Sequence, residues 1–124
     1  MSIRIGQGID FHRLKEGLDL WVGGVKIPSE KGCVAHSDGD VLLHAICDAM
    51  LGAAGIRDIG NYFPDSSEEL KNIRSTVLLE RTFIIIREKI RRDLENQKRT
   101  KYITFRWRGT RLKPRSSAIR SADR

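Results

Sequence analysis

Asp10 and His12 stand two residues apart in an alternating segment, and His44 and Asp48 stand four apart in an apolar one. In an extended chain, residues i and i+2 leave the same face, so the Asp10 carboxylate and the His12 imidazole point the same way. Such a pair is either a surface hydrogen-bonded couple or two ligands of one metal. Residues i and i+4 of a helix share a face, so His44 lies above Asp48 beside whatever apolar stripe that helix carries. A lone histidine there is either a satisfied core residue or a ligand. Cys33-x-x-His36 has the spacing of half a metal site, with no second half in the sequence.

The elements that must carry these residues are legible around them. Ile3, Ile5 and Ile9 alternate with polar or small residues, a strand signature over Ile3–His12. Gly6 and Gly8 leave one side of it open to close approach by backbone or ligand. Leu18–Pro28 reads as two short strands broken at Gly23-Gly24, and Pro28–Gly32 reads as a loop. Ser37, Asp38 and Asp40 are good N-caps, and Ser37-x-x-Asp40 has capping-box spacing. A helix is therefore expected over about Gly39–Ala54, with Val41, Leu42, Ala45 and Ala49 on its apolar stripe and Gly52 and Gly55 at its end. Its N-terminus, flanked by His36 and His44, suits a phosphate. Asp58–Asp65 reads as a loop of the kind that holds polar substrates. Ser66-x-x-Glu69 is a second capping-box candidate and Ser75 a possible N-cap. A helix from about Thr76 to Lys89 follows, although Ile84-Ile85-Ile86 also permits a strand.

The chain has 124 residues, 40% of them hydrophobic and 31% charged, which fits one soluble globular domain. Two cysteines are too few for a disulfide scaffold. The start lacks an apolar leader and the longest apolar run is too short to span a bilayer, so a cytoplasmic protein without membrane partners is expected. Net charge is −3 over residues 1–88 and +10 over 89–124. That division sets a metal-binding region, 1–88, apart from a basic tail, 89–124. Within the tail Lys101–Arg108 alternates Ile103, Phe105 and Trp107 with Tyr102, Thr104, Arg106 and Arg108.

With the blocks IRIGQGIDFHRL, GGVKIPSEKG, AHSDGDVLLHAICDAMLGAAGIRDIG and NYFPDSSEELKNIRS in order, the stretch from about Ile3 to Ile86 resembles the 2-C-methyl-D-erythritol 2,4-cyclodiphosphate synthase family. The resemblance implies a zinc site at Asp10, His12 and His44, open at a fourth position for a substrate phosphate oxygen. It implies that His36 and Ser37 contact the substrate's phosphates, with His36 the catalytic residue that stabilises the transition state. Asp58, Ile59, Gly60, Phe63, Pro64 and Asp65 match the segments around the methylerythritol moiety, and Asp10 and His12 also meet substrate.

The implied reaction closes 4-diphosphocytidyl-2-C-methyl-D-erythritol 2-phosphate into the 2,4-cyclodiphosphate and releases CMP, a phosphorus–oxygen lyase step of non-mevalonate isoprenoid biosynthesis. A magnesium or manganese ion would accompany the substrate diphosphate. The resemblance implies a homotrimer with sites between subunits.

The family's Asn-Val-Asp, Ala-Pro-Lys and Thr-Thr-Glu-Lys-Leu-Gly-Phe segments do not occur in residues 90–124. Three accounts of the tail follow. It is the product of a frame shift between about Ile86 and Arg92, a disordered extension, or a nucleic-acid-binding arm whose basic residues and aromatics meet phosphates and bases. Nucleic acid is the weakest of these, and a catalytically impaired chain is the alternative to a working synthase. The fold class expected is α+β, a single domain with helices packed on one face of a sheet.

Overall fold

A computed structural model describes residues 3–99; residues 100–124, the alternating segment Lys101–Arg108 among them, lie outside the described residues. The element order is β1 (Leu14–Glu16), β2 (Leu20–Val22), β3 (Val25–Ile27), β4 (Lys31–Cys33), α1 (Val41–Ala53), α2 (Ile59–Tyr62) and α3 (Ser75–Arg99), with a 3₁₀ turn at Glu68–Leu70. The α+β class holds. The strands form two antiparallel pairs, β1 with β4 and β2 with β3, rather than a single sheet.

The β2–β3 hairpin turns at Gly23-Gly24, as the glycine pair predicts, and both residues have positive φ (65° and 82°). The Pro28–Gly32 loop is shorter than expected, because Lys31 and Gly32 already pair with Glu16 and Lys15. That ladder matters for the site. It continues into a bond from the Val34 N–H to the Arg13 carbonyl (2.7 Å), which fastens the chain just after His12 to the chain just before His36.

The Ile3–His12 segment is not a strand. No described residue pairs with it, and Ile3, Ile5, Ile9 and Phe11 stand exposed. A strand needs a hydrogen-bonded neighbour as well as an alternating pattern, and only the pattern is in these residues. What holds the segment is α1. A β-carbon on Gly6 would lie 1.8 Å from the Ala49 carbonyl oxygen, and one on Gly8 would lie 1.8 Å from that of Ala45. The glycines therefore let two backbones touch, the close approach their side of the alternation allows. At the far end Arg4 donates to the Ala54 carbonyl (3.1 Å).

Helix α1 begins where the polar turn predicts, but its cap is Asp40 and not Ser37. Asp40 is fully buried. Its Oδ1 accepts from the Leu43 N–H (3.0 Å) and the Gly23 N–H (2.9 Å), and its Oδ2 accepts from the Gly24 N–H (2.6 Å). One carboxylate thus starts the helix and docks the β2–β3 turn onto it. It also places negative charge at the helix N-terminus, where it takes up one of the free N–H groups.

Leu51 and Ala54 of the α1 end pack against Ile86 of α3, with Met50, Ile56, Ile59 and Ile85 around them. This settles the Ile84–Ile86 run as helix: Ile86 is buried, Ile85 half-buried and Ile84 exposed, the grading of a helical turn on a core. The helix continues well past Lys89 and through the composition boundary near Glu88. Residues 75–99 contain no glycine or proline, and Glu88, Arg91, Glu95, Lys89 and Asp93 form i,i+3 and i,i+4 ion pairs along the exposed face. The sequence places the end of this helix near Lys89; side-chain pairing carries it on instead. Ser66-x-x-Glu69 makes no capping box; Ser67 precedes the 3₁₀ turn without a side-chain cap.

Candidate metal centre and substrate cleft

Asp10 and His12 sit in the extended chain that crosses α1, and His44 sits on the first turn of that helix. Their side chains converge. His44 Nδ1 lies 3.0 Å and His12 Nε2 3.2 Å from the same oxygen, Asp10 Oδ2, and the two nitrogens are 3.2 Å from each other. The rings meet edge to face, 88° between planes.

As ordinary hydrogen bonds these three contacts compete. Both nitrogens would have to donate to one oxygen, and the contact between them would then join two donors. A cation at the centre removes the conflict, because all three atoms then offer lone pairs. The triangle's edges are also close to the roughly 3.3–3.4 Å expected between tetrahedral ligands about 2.0–2.1 Å from a metal. The three could hold a metal ion. Cys33 does not join them. Burial, and then the neighbouring Asp10 and Asp40 carboxylates, push its thiol above the usual cysteine range, away from the thiolate a metal would need.

The triad lines a cleft of about 280 Å³. Of the residues singled out from sequence, the cleft brings together Asp10, His12, His36, Ser37, His44, Ile59, Gly60, Phe63 and Asp65. Asp58 and Pro64 are not in its lining. Asp58 instead caps α2, accepting from the Asn61 N–H (3.1 Å) and the Asn61 side-chain amide (2.9 Å). Those bonds hold its carboxyl below the usual aspartate range. The expected loop over Asp58–Asp65 therefore contains a short helix, and that helix presents Ile59 and Gly60 to the cleft.

Asp48 shares the His44 face as the spacing predicts, and its Oδ1 accepts the Ile59 N–H (2.8 Å). The two residues divide the labour on that face: His44 turns to the triad and Asp48 fixes α2. His36 is oriented by its Nε2, 2.9 Å from the Ser67 carbonyl. Ser37 Oγ accepts the Gly39 N–H (3.2 Å) and lies 3.2 Å from His44 Nε2.

Sequence reasoning missed part of the lining. Leu70, Ile73 and Leu78 line the cleft from the 3₁₀ turn and the start of α3. The loop before α1 is zipped to that region by two main-chain bonds, Asp38 N–H to Ile73 O (3.1 Å) and Asn72 N–H to His36 O (2.8 Å). Leu70 and Leu78 are buried apolar residues, and nothing in their own stretch of sequence marks them as cleft lining.

Against known proteins, residues 3–121 match the model of the YgbB family, a match that runs past Glu88. The chain is similar to the 2-C-methyl-D-erythritol 2,4-cyclodiphosphate synthase of Bacteroides fragilis, 55% identical over 89 residues, covering 72% of this chain and 56% of the relative. It is equally similar to the synthase of Fusobacterium nucleatum, 55% identical over 87 residues, covering 70% and 54%.

Among solved structures, a 2C-methyl-D-erythritol-2,4-cyclodiphosphate synthase superposes with a TM-score of 0.65 at 46% identity, over 69% of this chain and 57% of that one. IspF of Plasmodium falciparum, solved in complex with CDP, superposes with a TM-score of 0.55 at 41% identity, over 71% and 53%. The chain thus spans little more than half the length of the curated relatives it matches. With the family match covering most of its residues, the chain belongs to the YgbB family.

Proposed function

We propose that this chain carries the metal and phosphate side of a cyclodiphosphate synthase site, and that its substrate is 4-diphosphocytidyl-2-C-methyl-D-erythritol 2-phosphate. The product would be 2-C-methyl-D-erythritol 2,4-cyclodiphosphate, with CMP leaving. The observation that carries this reading is the convergence of Asp10, His12 and His44 in a cleft also lined by His36, Ser37, Ile59, Gly60, Phe63 and Asp65. A relative 55% identical over 72% of this chain bears the synthase name, and one similar protein was solved with CDP.

The residues fit zinc. One oxygen and two imidazole nitrogens leave a fourth tetrahedral position for a substrate oxygen. When bound, zinc supplies Lewis-acid polarisation of a phosphoryl group, while magnesium or manganese accompanies the substrate diphosphate.

The chain's own part is positioning and charge management. The 2-phosphate and the diphosphate repel each other, so holding them within reach is most of the catalytic problem. Ser37 Oγ and the His36 ring line the cleft with the triad: the serine hydroxyl can donate to phosphate oxygens, and the bond from His36 Nε2 to the Ser67 carbonyl leaves Nδ1 free to face the substrate. Ile59 and Gly60 of α2, with Phe63 and Asp65, enclose the five-carbon moiety. The roles of Asp58 and Pro64 lie in shaping that wall from behind.

The working form is a homotrimer. The exposed apolar row Ile3, Ile5, Ile9 and Phe11 supports a surface that a second copy of the chain covers.

The test is to incubate zinc-loaded protein with the substrate and magnesium and to follow ³¹P resonances. The cyclic diphosphate and CMP are expected together, and His36→Ala should lower their rate by 10²-fold or more. Substrate that binds and is never cyclised, at any metal or protein concentration, would leave this chain a binding protein and refute the proposal.

A further inference from the structure

His44 is held by more than its metal-facing side. A neutral imidazole has one N–H and one lone pair, so a nitrogen that ligates a metal forces the proton onto the other. Nδ1 faces Asp10 and His12, so a metal-binding His44 must carry its proton on Nε2. That nitrogen lies 2.9 Å from Ser75 Oγ, and Ser75 is fully buried at the start of α3.

A serine hydroxyl can donate as readily as accept, so the serine alone fixes nothing. What gives it direction is Asp38, whose Oδ1 takes the Ser75 hydroxyl proton. The Asp38 carboxylate is nearly buried and is itself held: Oδ2 accepts from the Ser75 N–H (3.0 Å) and from Arg74 Nε (3.2 Å), and Oδ1 from the Asp40 N–H (3.3 Å). A carboxylate only accepts. The chain of donors can therefore run one way, from His44 Nε2–H to Ser75 Oγ–H to Asp38.

We propose that Ser75 and Asp38 are positioning residues that hold His44 in the tautomer and ring orientation able to bind a metal through Nδ1. The proposal rests on the metal reading of the triad and extends it to α3, an element that contributes no ligand. It explains why the loop before α1 is stitched to residues 72–75, since that stitching brings Asp38 to Ser75.

The test compares wild type with Ser75→Ala, Asp38→Asn and Ser37→Ala by two readouts. Zinc affinity is measured by competition with a chromogenic chelator. The His44 tautomer is read in metal-free protein from long-range ¹H–¹⁵N correlations, with circular dichroism to verify folding. Wild type should show the proton on Nε2, because the Ser75–Asp38 chain accepts there while the Asp10 oxygen beside Nδ1 is shared with His12; a wild type protonated at Nδ1 alone would overturn the proposal. Ser75→Ala and Asp38→Asn should each bind zinc about 10–100-fold more weakly and show mixed tautomers. Because the two act in one chain, the double variant should lose little more than the worse single.

A folded Ser75→Ala protein with wild-type affinity and an unmixed Nε2–H tautomer would overturn the proposal. So would a loss confined to Ser37→Ala, since Ser37 Oγ is also near Nε2. If Ser75→Ala does not fold, Asp38→Asn decides by the same two readouts. If wild type binds no zinc, the metal reading fails, while the tautomer measurement still judges the relay.

Discussion

Replacing Asp40 should cost more stability than any other single polar substitution near the site, and the cost should divide into two separable parts. The carboxylate is fully buried and accepts three backbone N–H groups, from Leu43, Gly23 and Gly24. Losing the helix cap costs about 1 kcal/mol. A hydrogen bond to a charged group contributes about 1.5–3 kcal/mol, but the turn at Gly23 and Gly24 is open enough for water to replace part of it, so about 1 kcal/mol each is the better figure. Asp40→Ala should then lose about 3 kcal/mol, or about 12 °C or more in Tm for a domain of this size.

Asp40→Ser separates the parts. Serine caps a helix well but is too short to reach the hairpin, so about 2 kcal/mol of the loss should persist. Urea unfolding followed by circular dichroism gives both values, and the amide resonances of Gly23 and Gly24 should lose their hydrogen-bonded shifts in either variant. An Asp40→Ala protein within 0.5 kcal/mol of wild type would refute the reasoning. An Asp40→Ser protein as stable as wild type would refute the claim that the carboxylate docks the hairpin.

Two further outcomes follow from the geometry. Gly8→Ala places a β-carbon 1.8 Å from the Ala45 carbonyl oxygen, so the crossing segment must lift off α1 and carry Asp10 and His12 with it. Metal affinity should fall by at least tenfold while the helical signal stays, and unchanged affinity would mean the segment does not need that contact. Asp58 should titrate below the ordinary aspartate value of 3.8, because Asn61 bonds its charged form. A depressed value means the cap contributes fully above the ordinary range and is lost as pH falls through the depressed one. An NMR titration with its midpoint at or above 3.8, or α2 amides indifferent to that titration, would remove Asp58 from the cap.

How much of this was legible in the sequence depends on whether the cause was local. The start of α1, the Gly23-Gly24 turn and the shared face of His44 and Asp48 each follow from spacing and side-chain chemistry within one short stretch, and the structure has them where those rules put them. The alternation over Ile3–His12 is equally local, yet it makes a strand only with a partner, and no described residue supplies one. The end of α3 departs from the sequence reading for the opposite reason: hydrophobic periodicity stops near Lys89, whereas ion pairs three and four residues apart support the helix as far as Glu95. Asp40 was ranked as one cap among three because its hold on Gly23 and Gly24 lies across the fold. Ser75 and Asp38 were read separately, as caps, since nothing in a linear sequence brings residue 38 to residue 75. The triad itself was half legible: Asp10 and His12 announce each other, and His44 joined them through family resemblance rather than spacing.

The central claim is that Asp10, His12 and His44 are three ligands of one metal ion. Elemental analysis of purified protein after equilibration with zinc and desalting tests it most directly. About one zinc per chain is predicted for wild type, falling close to zero in His12→Ala and in His44→Ala while both variants stay folded. Wild-type metal content in both variants would contradict the account, whatever else the cleft proved to bind.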